Sequence, residues 1–211
     1  MASSHSGVCK DEIQLQLTLY LSLRKALYHV DLETILRKRF QRWARTQIAR
    51  VPWAVLARRA VERIAYLKGI VPPCSLAALF RSWLNGWCTS RRFQEKGKCW
   101  LDCRCNGDDS LEHYAHCNVS WAWVGKHART DTRQRGLARF LVLDVLPNDC
   151  TVVLTTNVYA VYSAVNHFRA RQQRGSFVEA YNIIQERWRF AETLAPRVTA
   201  ALAKRWNTRS C

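Results

Sequence analysis

The stretch CWLDCRCNGDDSLEHYAHC, residues 99–117, holds four of the chain's nine cysteines and two of its six histidines within nineteen positions. Thiolate and imidazole are the donors that zinc takes in tetrahedral structural sites, and close pairs of ligands pre-arranged by local backbone lower the entropy lost on binding. His113 and Cys117 stand four apart and share a face if the segment is helical. Asp109 followed three positions later by Glu112 reads as a capping-box-like start, so a helix is expected from about Asp109 to Cys117. The other pair comes from Cys99, Cys103 and Cys105. Cys99 and Cys103 bracket three residues, within the knuckle range, whereas Cys103 and Cys105 bracket one, a tighter chelate. The spacing favours Cys99, Cys103, His113 and Cys117 as ligands of one Zn2+, with Cys105 the alternative to Cys99 and His116 the alternative to His113. Four protein ligands leave no open position, so such a zinc is structural, and Asp102 or Glu112 is the expected acceptor for the second ring nitrogen of His113.

Other chemistries fit this stretch less well. Gly107-Asp108-Asp109 matches the metal-binding turn of viral RNA polymerases, but Cys105-Asn106 and Ser110-Leu111-Glu112 flank it instead of apolar strands, and no partner acidic motif lies upstream. There is no C-x-x-C redox spacing, and no cysteine–histidine pairing stands out as a nucleophile and base. The chain therefore reads as non-enzymatic.

On either side the apolar residues repeat with a helical period. Leu32, Ile35, Leu36, Phe40 and Trp43 line one face behind an Asp31 N-cap, and Trp53, Leu56, Ala60, Ile64 and Leu67 line another between Pro52 and Gly69. A short helix follows in SLAALFRSWLNGW. Beyond the cluster, Leu154, Val158, Val161, Val165 and Phe168 repeat at +4, +3, +4, +3, although their β-branched neighbours also suit a strand. Ser176 and Glu179 form a capping box before Phe177, Tyr181, Ile184, Trp188 and Ala191. Alternating leucines over Ile13–Leu23 leave strand and helix both open. The expected architecture is mainly α: a tail and ambiguous segment over 1–30, a basic helical region over 31–98, a small zinc-binding insert over 99–117 and a helical region over 118–211. Because the flanking stripes can pack by themselves, metal removal is expected to unfold the insert alone.

The 211 residues carry thirty-three Lys and Arg against sixteen Asp and Glu, a formal charge of +17. A folded chain so basic repels itself unless a polyanion is near, and nucleic acid is the first such partner. Between Arg24 and Lys68 twelve cations face three acids, a balance of +9 and over half of the total. Lys38 and Arg45 point away from the apolar stripe and Arg42 flanks it, while Arg39 falls within the stripe and must snorkel or find a partner. Arg91 and Arg92 can extend this ridge, and Trp100 can stack on an unpaired base. The uncharged run Cys150–Phe168 is interrupted by Thr, Asn, Ser and His, which argues against a membrane span, and the polar start MASSHSGVCKDE lacks the order of a secretory signal. Nine unevenly spaced cysteines suit reduced thiols plus one metal site better than a disulfide framework. The chain is expected to be intracellular, the nucleus included.

The block LFRSWLNGWCTSRRFQEKGKC, residues 79–99, with GDDSLEHYAHC, residues 107–117, resembles the region downstream of the polymerase domain in some non-LTR retrotransposon reverse transcriptases. The resemblance covers roughly residues 30 to 120. Those proteins carry a Cys-Cys-His-Cys cluster after the thumb, which maps onto Cys99, Cys103, His113 and Cys117. The family's Tyr-x-Asp-Asp turn and a recognisable endonuclease are absent from this sequence. The resemblance thus implies a detached, non-catalytic piece that engages RNA or DNA. The alternatives are a zinc-stabilised module for an acidic protein partner and a retroelement remnant without selected activity.

Overall fold

Apolar residues at helical spacing can be buried only if the helices pack on one another, and the chain is built that way. The computed structural model describes residues 31–43, 51–127 and 132–207, so the alternating segment Ile13–Leu23 and Arg45 lie outside it. Helix α1 (Leu32–Gln41) starts at Asp31, whose carboxylate accepts the Glu33 N–H and the Thr34 hydroxyl. Helix α2 (Trp53–Leu67) follows Pro52, and α3 (Pro73–Trp83) follows Pro72. One-turn α4 (Leu111–Tyr114) and longer α5 (Asn118–His127) come after the cysteine-rich loop. Then come one-turn α6 (Leu137–Phe140), α7 (Asn148–Ala170), α8 (Phe177–Leu194) and α9 (Pro196–Asn207). The described residues contain no strand, only two isolated bridges, Lys68 with Val71 and Lys98 with Asp108.

Helix α7 is the centre of the structure, packed by α3, α5, α8 and α9. Every residue from Cys150 to Val161 is buried, so its periodicity is blurred by apolar residues all round. Its polar members are satisfied locally: the hydroxyls of Thr151, Thr155 and Thr156 donate to the carbonyls of Pro147, Thr151 and Val152, four residues back. Asn157 donates to the Ser120 carbonyl of α5. Trp123 of α5 stacks on Trp188 of α8, with centroids 4.3 Å apart. Of the expected capping box the N-cap half is formed, Ser176 Oγ accepting the Glu179 N–H, while the Glu179 carboxylate lies 4.0 Å from Arg171.

The cysteine-rich loop is part of this core. Leu101, Leu111, Tyr114, Ala115 and Cys117 belong to the same buried apolar cluster as Phe40 of α1 and Phe168 of α7. Cys74, Cys88, Cys99, Cys103, Cys105 and Cys117 are free thiols. Cys150 is disulfide-bonded, a departure from the expectation of an all-thiol chain. Among the described residues no helix is long and apolar enough to cross a membrane.

Candidate metal centre and the basic surface around it

The loop that carries the first two cysteines is folded back by its own backbone. Lys98 bridges to Asp108, the Cys99 N–H donates to the Gly107 carbonyl at 3.0 Å, and the Asp109 N–H donates to the Gly97 carbonyl at 2.9 Å. Within the loop Asp102 (φ 45°) and Asn106 (φ 49°) are left-handed, a conformation these two residue types tolerate best after glycine. These turns bring Cys103 back over Cys99.

The second pair is arranged differently from the expectation. The helix expected from Asp109 to Cys117 is a single turn, Leu111–Tyr114, and Cys117 lies beyond it, just before α5. The cap is Ser110, whose hydroxyl accepts the His113 N–H at 3.0 Å. Asp109 cannot cap because its side chain is fully buried and otherwise engaged. It accepts from Ser90 N–H (2.8 Å), Ser90 Oγ (3.0 Å), Trp100 Nε1 (3.1 Å) and the Tyr114 hydroxyl (2.8 Å), and it pairs with Arg169 at 3.3 Å. The turn stops where Trp121 Nε1 takes the Ala115 carbonyl at 2.9 Å.

One donor atom from each of Cys99, Cys103, His113 and Cys117 lies within 4.8 Å of every other, so the four could hold a metal ion. Cys103 Sγ lies 3.1 Å from His113 Nε2. The three thiols are buried, while Cys105 and His116, the alternatives raised by spacing, are exposed. A hydrogen bond from Cys99, with His113 adding to it, pulls the Cys117 thiol below its ordinary range. The same hydrogen bond, together with burial, pushes Cys99 up. Burial, and then Cys105 beside it, pushes Cys103 up.

The second ring nitrogen of His113 meets neither expected carboxylate. Nδ1 faces Gly107, where an added Cβ would come within 1.9 Å of it, and Glu112 turns to Arg91 at 3.6 Å. This explains the glycine of Gly107-Asp108-Asp109: the imidazole lies flush against the backbone there. The two acids diverge, Asp108 pairing with Lys98 at the surface and Asp109 with Arg169 in the interior.

Lys38, Arg42, Arg91 and Arg92 are exposed. Arg39, expected to need an outlet from the apolar stripe, lies over the Trp43 ring at 5.7 Å. Burial, and then the positive charges of Arg42 and Arg92, lower its pKa, which places the α1 ridge beside the Arg91–Arg92 turn. Trp100 is half-buried, its indole N–H committed to Asp109 and its carbonyl accepting the Gly175 N–H. Not every cation counted in the sequence is at the surface for a partner. Arg59 donates to the Leu143 carbonyl, and Arg63 donates to those of Asp144 and Leu146, tying α2 to the segment after α6. Conversely, an open groove of about 630 Å³ is lined by Arg91, Lys96, Lys98 and Arg174 with Glu95 and Asp108. Lys98 and Arg174 also border a smaller cleft with Arg104, Cys99 and Cys103. Arg174 escaped the sequence reading because it joins the groove only through the tertiary fold; Arg169, which follows the last stripe residue of α7, was missed because its pairing with Asp109 is likewise tertiary.

No protein-family model matches the chain, and no curated protein or solved structure matches it.

Proposed function

We propose that this chain is a non-catalytic nucleic-acid-binding module, with RNA or single-stranded DNA as its partner, whose basic surface is held in shape by one structural Zn2+ at Cys99, Cys103, His113 and Cys117. The observation that carries the reading is the convergence of these donors within 4.8 Å, directly beneath a cationic groove. A tetrahedral zinc with bonds of about 2.3 Å to sulfur and about 2.0–2.1 Å to nitrogen spaces its donors roughly 3.6–3.8 Å apart, so small side-chain shifts close this site. Three thiolates and one imidazole form a soft set that suits zinc over magnesium or calcium. Bound there, the ion fixes the loop from Cys99 to Gly107, and with it Lys98 and Arg104. The exposed ridge of Lys38 and Arg42, continued through Arg91 and Arg92, neutralises phosphates and releases counterions, which gives affinity with little sequence preference. The kinship proposed is with the zinc-cluster region of non-LTR retrotransposon reverse transcriptases, on the strength of residues 79–117.

Fluorescence anisotropy of labelled single-stranded RNA with the zinc-loaded chain tests this reading. Affinity is expected to fall steeply with salt. Replacing Lys38, Arg42 and Arg45 together by Gln lowers it about equally for all sequences and flattens the salt slope. Absence of binding below ~50 mM salt, where phosphate contacts are weakly screened, would sink the reading and point to an acidic protein instead.

A further inference from the structure

We infer that Phe93 is a stacking platform for an unpaired base and that the groove of Arg91, Lys96, Lys98 and Arg174 carries the sugar–phosphate backbone beside it. The partner is therefore nucleic acid with exposed bases rather than a duplex. This rests on the nucleic-acid reading above and narrows it. The chain buries its largest aromatics, Trp83, Trp87, Trp121 and Trp188 fully, and of the phenylalanines left exposed (Phe93, Phe177 and Phe190) only Phe93 lies on the turn that borders the groove. Phe93 is 55% exposed on the turn Arg91–Phe93, whose Arg91 and following Gln94 both line the groove. The turn is built to hold a ring outward. Phe93 N–H donates to the carbonyls of Thr89 and Ser90, Gln94 closes the turn at φ 60°, and Glu95 N–H returns to the Ser90 carbonyl at 2.8 Å. Ser90 is anchored through its N–H and hydroxyl to buried Asp109. The Arg92 guanidinium lies over one face of the ring, 5.7 Å from its centroid, which leaves the opposite face for a base with the cation behind the ring. Among the described residues Arg92, Lys96 and Arg174 make no ion pair, whereas Arg91 and Lys98 are partly neutralised by Glu112 and Asp108. Lys96 and Arg174 thus stand free for phosphates along the groove, while Arg92 lies over the exposed ring. Trp100 offers less, being half-buried and hydrogen-bonded to Asp109. A duplex cannot use the ring, because its bases cover one another's faces, while every unpaired base presents a π-face.

The test measures the affinity of the full, zinc-loaded chain for a labelled oligouridine and for a blunt RNA duplex of the same length. Phe93→Ala is expected to weaken the single strand about 5- to 150-fold, the range for loss of one base–aromatic stack, and the duplex less than about 2-fold. Its salt slope should not change, because no phosphate contact is lost. Phe93→Tyr should restore binding. Lys96→Gln with Arg174→Gln should weaken both RNAs and flatten both slopes. Unchanged zinc content and circular dichroism show that the variants fold. If Phe93→Ala leaves the single strand unaffected, or weakens both RNAs equally, while the charge variant weakens both, nucleic-acid binding stands and the stacking role is wrong. If no RNA binds the unaltered chain, both readings fall.

Discussion

Arg169 and Asp109 join the end of the central helix to the cysteine-rich segment, and cutting that link has a calculable cost. The Asp109 side chain is fully buried and that of Arg169 is 22% exposed, with 3.3 Å between the charged atoms. Replacing Arg169 by Met keeps the aliphatic packing but leaves a buried carboxylate without its counter-ion, for which the general range is about 3–5 kcal/mol. Four neutral donors remain on Asp109, from Ser90 twice, Trp100 and Tyr114. They place the expected loss at the lower end, about 3 kcal/mol. At this chain length that corresponds to roughly 6–12 °C in Tm. Asp109→Asn gives up the ion pair and turns an amide donor toward groups that already donate, at about 2–3 kcal/mol. The double variant removes the charge that Arg169→Met strands, so it should cost about 1.5–2.5 kcal/mol less than the sum of the two. Urea denaturation of the zinc-loaded protein measures all three values. Additivity within about 0.5 kcal/mol would show that the pair contributes no coupling, and the claim that it ties the cluster to the helical core would be wrong.

Cys105→Ser should keep the metal while Cys99→Ser loses it, since only the latter thiol joins the buried set; zinc content of the purified variants decides, and the reverse result reassigns the ligand. Gly107→Ala drives a Cβ to within 1.9 Å of His113 Nδ1 and should weaken zinc at least tenfold in competition with a chromogenic chelator, with the helical circular dichroism retained. Zinc affinity should fall with acid. The Cys99 and Cys103 thiols are held above their ordinary range, so binding must displace protons and affinity drops as the pH falls. Titration calorimetry in buffers of different ionisation enthalpy counts those protons, and a count near zero would contradict this protonation pattern.

The helices of the described residues were legible where one face alone is apolar, as along Leu36 and Phe40 or Ile184 and Trp188. Helix α7 was harder, because a helix buried all round loses its stripe and its β-branched residues suit a strand as well. The four converging donors could be read from spacing, since their types and separations are local properties. The short turn at Leu111–Tyr114 could not. Asp109 resembles a cap in sequence, but tertiary partners as distant as Arg169 claim its carboxylate and leave capping to Ser110. Composition likewise counts charge without direction. Arg59 and Arg63 belong to backbone carbonyls, whereas Arg174 joins Lys96 across the fold. The expectation that the cluster would be a detachable insert meets the same limit. Tyr114 and Cys117 are fully buried within the common core, so metal loss should loosen the packing of α5 as well as the loop.

Native mass spectrometry of the chain purified without chelators tests the central claim most directly. The account predicts one zinc per chain, lost in Cys117→Ser and in His113→Ala. A protein that carries no zinc, or keeps it in both variants, would contradict the assignment of Cys99, Cys103, His113 and Cys117 as a structural zinc centre.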